Sequence, residues 1–308
     1  MARTRFAPDH GLTARMTTVM FLMGLVFVVL IVGLMGIFWQ SSPGIAVLIA
    51  IGGLGVVWWQ WYNSDTVAMK AMRAREVTAQ EAPELYGMVQ RLCTLADMPM
   101  PRVGVADTDL PNAFATGRSP SRAVVVVTTG IMQRLDAEEL EGVLAHELSH
   151  VAHRDVLVMT VASSAGIIAG GLTRGAQYGM WFGGGNRRNN NSGVPIWLLV
   201  LVFSMVVYAV SFVLLRLLSR YRELAADRAG AQLTMKPRAL ASALQKIAGE
   251  INRIPQQDLR AAQHMNAFFI APAIGGVSMA TLTSTHPSLE QRLAQLARIE
   301  AELGRPNA

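Results

Sequence analysis

The sequence is short of charge and almost without cysteine. A single cysteine, Cys93, in 308 residues excludes an intrachain disulfide. It falls in a helical pattern with Leu85, Val89 and Leu92, which makes it a core residue rather than a nucleophile. Asp, Glu, Lys and Arg together supply only 16% of the chain, against 52% hydrophobic residues. That balance excludes an ordinary water-soluble globule, so part of the surface must face lipid. The formal net charge of +6 would suggest nucleic acid in a soluble domain. Here arginines flank apolar segments, so the excess is read as orientation at an anionic membrane surface, and no nucleic-acid partner is expected. No internal repeat is present.

Charge is entirely absent from Met16 to Ser64. The run is too long for one crossing and is interrupted by Gln40-Ser-Ser-Pro-Gly44. It reads as two transmembrane helices, roughly 17–39 and 44–62, each with the ~20 residues that a ~30 Å hydrocarbon layer requires. A cleaved leader is the weaker reading, because the apolar stretch is too long for one. Trp39, Trp58, Trp59, Trp61 and Tyr62 suit an interfacial belt. Arg3, Arg5 and Arg15 precede the hairpin, and Lys70, Arg73 and Arg75 follow it. The 40–44 turn carries no charge, so both ends are expected in the cytoplasm. Farther on, Val156–Thr173 is charge-free but rich in Gly, Ala and Ser, either a span or a helix buried against other helices. Val194–Leu215 is a span. The polar loop 183–193 between them holds Arg187 and Arg188, which oppose an outside location. The early segments usually dominate orientation, so the cytoplasmic assignment stands.

The remaining segments read as soluble structure. Thr78–Ala96 is patterned as a helix, Arg102–Ala106, Asn112–Thr116 and Ala123–Thr128 as extended pieces, and Asp136–Glu139 as a capped helix start. Pro237–Ile254 and Pro287–Leu303 are amphipathic helices. The expected organisation is an N-terminal membrane hairpin (1–66), a catalytic region with a small sheet (67–155), a second membrane hairpin (156–218) and a C-terminal catalytic region (219–308).

Three of the six histidines lie within residues 143–155, Val-Leu-Ala-His-Glu-Leu-Ser-His-Val-Ala-His-Arg-Asp. His146 and His150 are one helical turn apart on one face and can share one ion. Glu147 is rotated by about 100° from His146, placed to reach a water on that ion without ligating it. This pattern suits metal-assisted hydrolysis. His153 is excluded as a third ligand, since it stands about 10.5 Å from His146 along the axis of an unbroken helix. Downstream, Arg222-Glu-Leu-Ala-Ala-Asp227 offers Glu223 and Asp227 at i and i+4. Glu223 can complete the set while Asp227 holds a histidine N–H; the alternative is an exposed pair of helix carboxylates. Sharing one ion between His150 and Glu223 requires an even number of membrane crossings between them.

Taken together, the motifs resemble HtpX-type membrane zinc endopeptidases, relatives of the zinc proteases that process CaaX-tailed prenylated proteins. The resemblance is carried by Pro111-Asn-Ala-Phe-Ala-Thr-Gly117, Thr129-Gly-Ile-Met132 and Ala145-His-Glu-Leu-Ser-His150 with Asp155. It continues in Arg222-Glu-Leu-Ala-Ala-Asp227 and Thr285-His-Pro-Ser288 with Arg292. It implies a mainly α membrane protein, with a helical zincin-type catalytic domain, a small β-sheet and about four transmembrane or membrane-associated helices. It implies one Zn2+ per chain on His146, His150 and Glu223, with Glu147 as general base. Asp227 would orient a ligand histidine, with Asp155 and Arg292 also behind the ligands. His286 would steady the oxyanion, supported by Arg292. Asn112, Ala113, Phe114 and Ala115 would form an edge strand on which a peptide lies. One departure is Arg154, where a small residue is expected. The implied role is quality control of unfolded or membrane proteins at the bacterial cytoplasmic membrane, with the lipid bilayer as a second partner and the catalytic region facing the cytoplasm. Two rival readings remain: an intramembrane protease, whose ligands would lie within the spans, and a catalytically silent scaffold. The charges at Glu138, Glu139, Glu141, Arg154 and Asp155 argue against the first, and an intact Glu147 argues against the second.

Overall fold

A computed structural model describes residues 10–38, 43–182, 195–251 and 286–304. Trp39, the 183–193 loop, the end of the helix expected to reach Ile254, and Thr285 lie outside the described residues. The elements begin with α1 (His10–Phe38), α2 (Pro43–Tyr62), α3 (Ser64–Ala71), β1 (Arg75–Glu76), α4 (Pro83–Ala96), β2 (Arg102–Ala106), β3 (Ala113–Thr116) and β4 (Val124–Thr128). They continue with α5 (Thr129–Arg134), α6 (Ala137–Ala152), α7 (Asp155–Phe182), α8 (Ile196–Thr234), α9 (Pro237–Ile251) and α10 (Leu289–Leu303). The chain divides into two compact units. One comprises 14–61 and 158–218, the other the first 13 residues, 62–157 and 219–308.

The first unit is apolar. Among the described residues, α1, α7 and α8 are long and apolar enough to cross a membrane, and α2 carries a shorter apolar stretch, Val47–Tyr62. Large side chains such as Phe21, Leu48 and Val206 are exposed, as lipid-facing residues should be. Leu30, Leu34, Ala165, Ile168, Ala169 and Val207 form its own interior. Helices in lipid gain little from burying apolar area against each other, so they approach through small residues. A Cβ on Gly33 would stand 2.2 Å from the Phe203 ring, and one on Gly53 would stand 2.3 Å from Ile168. Thr173 and Ser204 join hydroxyls at 2.9 Å. The Gly, Ala and Ser of 156–173 therefore serve both readings at once, because α7 is long enough to span and is also packed through small residues.

The second unit holds the sheet and the histidine helix. Strand order is β1-β2-β4-β3, with β2 and β4 parallel and the outer pairs antiparallel. All five residues of β4 are buried, since Val125 and Val127 enter the main core while Val124 and Val126 pack with Ala68, Met72 and Phe114. A strand covered on both faces reads as an unbroken valine run rather than an alternation. β3 lies at the sheet edge, one residue shorter than the piece expected from Asn112.

Several helix boundaries also differ from the sequence expectation, and α7 runs on to Phe182. The helix expected from Thr78 starts at Pro83, because the proline holds Ala82 out of the helical region (φ −140°, ψ 66°) and suits only the first helical position; the Glu81 carboxylate accepts from the Thr78 N–H and hydroxyl at 2.7 and 2.9 Å in the turn before it. Helix α1 starts at His10 and takes in Arg15. The span expected to end at Leu215 and the helix expected around Glu223 are one 39-residue helix, α8. Nothing in its sequence breaks it, since it has no proline and its one glycine is near the end.

Helix α6 begins with a capping box in which Asp136 and Glu139 exchange side chain-to-backbone bonds, worth about 1 kcal/mol. It is buried on nearly every side, so each charged residue on it needs a partner. Glu141 takes Arg91 at 2.6 Å. Glu139 takes Ser242 at 2.6 Å and Lys246 at 2.7 Å, both from α9. Burial pushes the Glu139 carboxyl up, but Lys246, Ser242 and the Asp136 N–H outweigh it and hold the group below its ordinary value of 4.5. A depressed carboxylate stabilises the fold above its ordinary value and loses that contribution as pH falls through the folded one. Glu139→Gln should therefore destabilise the protein at pH 7 by about 1 kcal/mol, discounted for the half-exposed Lys246. The gap to wild type should close as pH falls below the ordinary carboxyl value of 4.5 and through the lower folded one. Unfolding in detergent from pH 3 to 7 measures it; a gap that stays constant would contradict the linkage.

Candidate metal centre

Helix α6 brings His146 and His150 together because they are four residues apart. Their Nε2 atoms stand 3.3 Å apart and their rings meet edge-on at 87°. Glu223 comes from α8, with Oε2 at 3.6 Å from His146 Nε2 and Oε1 at 3.5 Å from His150 Nε2. One ligand atom from each residue lies within 4.8 Å of the others. Ligands ~2 Å from one tetrahedral ion must themselves be about 3.3 Å apart, so these separations fit a metal ion such as zinc.

Each imidazole is also held from behind. His146 Nδ1 lies 3.0 Å from Asp227 Oδ1, and Arg292 forks onto both oxygens of Asp227 at 2.7 and 2.6 Å. His150 Nδ1 lies 2.5 Å from Asp155 Oδ2, and Arg222 pairs with the other oxygen of Asp155. A carboxylate accepting from Nδ1–H fixes the tautomer and turns the Nε2 lone pair toward the ion. The site's field favours positive charge at its centre. Burial works against a proton on His146, yet Asp227 and Glu223 raise it to about 9. For His150, burial prevails and lowers it to about 4.

Glu147 follows His146 by one residue and faces β3, where its Oε2 accepts from the Ala115 N–H at 3.1 Å. Burial raises its pKa above the ordinary 4.5, partly offset by the two histidines. His286, buried, places Nδ1 3.1 Å from Glu223 Oε2. Arg292, expected beside His286, lies chiefly on Asp227 and stands 3.8 Å from Glu223. Asn112 is buried, its N–H and C=O both bonded to Thr128. His153 is the residue that ends α6 and is not part of the cluster. The Arg154 position, where a small residue is expected, has φ +55°. That left-handed turn separates α6 from α7 and brings Asp155 back to His150, which explains why a residue with little or no side chain suits it.

Sequence reasoning gave no role to two residues here. Arg222 adjoins Glu223 in the chain, and its partner Asp155 lies 67 residues earlier, beyond any spacing rule. Gly230 falls on the same face of α8 as Glu223 and Asp227, at i+7 and i+3. A Cβ there would lie 2.8 Å from the His146 backbone nitrogen. The available signal was a glycine inside a long helix on the face that carries both carboxylates.

A buried helix pairing two histidines with a glutamate from a second helix, beside a further carboxylate outside that trio and in a chain with membrane-length helices, defines a membrane metallopeptidase. The chain belongs to peptidase family M48, whose model it matches over residues 79–300. It is 52% identical over 98% of its length to Protease HtpX homolog 1 of Streptomyces coelicolor, covering 97% of that protein. It is 50% identical to Protease HtpX homolog of Moorella thermoacetica, again over 98% of both chains. Among solved structures, the crystal structure of S. mikatae Ste24p shares the fold with a TM-score of 0.56 at 18% identity, covering 92% of this chain and 65% of that one.

The Gly230 approach makes a packing prediction. Gly230→Ala forces α8 off α6 and should cost about 1–3 kcal/mol, with weaker metal binding. Gly249→Ala, where nothing lies within 4 Å, should be neutral or stabilising by about 0.5–1 kcal/mol. Unfolding midpoints and zinc titration of both variants check it; equal behaviour of the two would refute the close approach.

Proposed function

We propose that this protein is a zinc endopeptidase of the bacterial cytoplasmic membrane that cuts unfolded or membrane proteins, with its catalytic region facing the cytoplasm. His146, His150 and Glu223 would hold the ion. The observation that carries the reading is the separation of their ligand atoms, 3.3 to 3.6 Å, with Glu147 adjoining them. When bound, zinc acidifies a water and polarises the scissile carbonyl. Glu147 takes the proton from that water and returns it to the leaving nitrogen. Its burial, which raises its pKa, brings its basicity nearer to what a two-way proton carrier needs. His286, adjoining Glu223, donates toward the oxygen on which negative charge develops.

β3 supports a template for extended substrates. The Thr128 N–H bonds the Asn112 carbonyl, and hydrogen-bonded pairs alternate along an antiparallel ladder. In the register Ala113↔Val127, Phe114↔Val126, Ala113 and Ala115 therefore turn their backbone groups to the free edge. The Ala115 bond to Glu147 agrees with this. Pairing through backbone accepts many sequences, which suits removal of unfolded chains. Cytoplasmic orientation rests on Lys70, Arg73 and Arg75 after α2, with no charge in the 40–44 turn.

Detergent-purified protein should contain one zinc per chain and cleave an unfolded polypeptide. Glu147→Gln should retain zinc and lose cleavage by about 10²–10⁴-fold. Glu223→Ala should lose both. Equal cleavage by all three proteins would refute the enzymatic reading, and unchanged zinc affinity in Glu223→Ala would refute the third ligand.

A further inference from the structure

We propose that Arg222 is a positioning residue for the metal site, acting through Asp155 on His150; this rests on the ligand set proposed above. The Arg222 side chain is 3% exposed. A guanidinium so deeply buried is tolerated only against an anion; Asp155 pairs with it directly, and Glu223 attracts it as well. Asp155 divides its two oxygens, with Oδ1 taken by Arg222 and Oδ2 lying 2.5 Å from His150 Nδ1. Held at one oxygen, the carboxylate cannot turn away from the imidazole at the other. The ring plane of His150 is thereby tied to α8, the helix that also delivers Glu223.

The arrangement matches the one behind His146, where Arg292 grips Asp227. Each histidine thus has an aspartate at Nδ1, and each aspartate a buried arginine. The two arginines cancel the charge of the two aspartates, which leaves Glu223 as the anionic ligand and preserves the net positive charge of a divalent ion. Asp155 needs this support more than Asp227 does. Asp227 sits in the interior of α8, whereas Asp155 is the first residue of α7, directly after the left-handed Arg154. Without an anchor, nothing from its own helix opposes its withdrawal from His150.

The test is zinc dissociation from the full-length protein in detergent, measured by competition with a chromophoric chelator. Arg222→Met and Asp155→Asn should each weaken zinc by about 10–100-fold, the range for groups that orient a ligand. Arg222→Lys, which keeps the cation, should recover part of the loss. The double variant should bind no more weakly than the weaker single one, since both substitutions break the same chain of contacts. Affinity of Arg222→Met within twofold of wild type would overturn the proposal. So would losses that multiply in the double variant, the result expected if Arg222 only supported the fold. Should Arg222→Met fail to fold, Arg222→Lys with and without Asp155→Asn decides the same question by the same criterion. Absence of zinc from the wild-type protein would overturn the ligand assignment, and this inference with it.

Discussion

Everything at the centre depends on how closely α8 passes α6. The backbone at Gly230 leaves no room for a side chain against His146, and from that approach the rest follows. Asp227, nearly one turn earlier, arrives behind the His146 ring, and Glu223, a further turn back, arrives in front of it. One packing distance therefore sets both the support and the proposed third ligand. A wider crossing would withdraw Glu223 from both imidazoles and Asp227 from His146, leaving His146 buried with no anion to meet it, which a protein interior does not tolerate.

The same constraint explains why α6 is surrounded by polar pairings despite being almost wholly buried. Glu139 is tied to α9 and Glu141 to α4, so the helix is fixed against rotation on the sides away from the metal cluster. Glu138, on the exposed side, pairs with Lys236, and the buried Glu147 turns to the edge strand. The sheet contributes by giving β3 a rigid neighbour: β4 is covered on both faces, and β3 pairs along its whole length to it. The groups proposed to react thus stand between a helix tied at several points and a strand edge paired along its whole length, as a preorganised site requires.

Much of this was legible in residue order. The capping box, the two-histidine turn and the β4 valine run are local patterns, decided by neighbours within a few residues, and their positions agree with the structure. The helix at Pro83 shows where periodicity alone misleads: the apolar spacing runs back to Thr78, but the proline forces Ala82 out of the helical region and the helix begins at the proline itself. The unity of α8 was missed for a different reason. Composition changes sharply after Arg216, and a change in what surrounds a helix looks in sequence like the end of one, although backbone hydrogen bonding continues through it.

Membrane character, strand and helix type, and the pairing of His146 with His150 on one helix face as candidate ligands were therefore determined by the sequence alone, because each depends on short-range periodicity or on composition. Only the tertiary structure decided which arginine meets which aspartate, why a residue with little side chain suits position 154, and how near α8 comes to His146. Those are relations between residues 65 to 84 positions apart in the chain, or backbone angles, and no spacing rule along one helix encodes the distance between two.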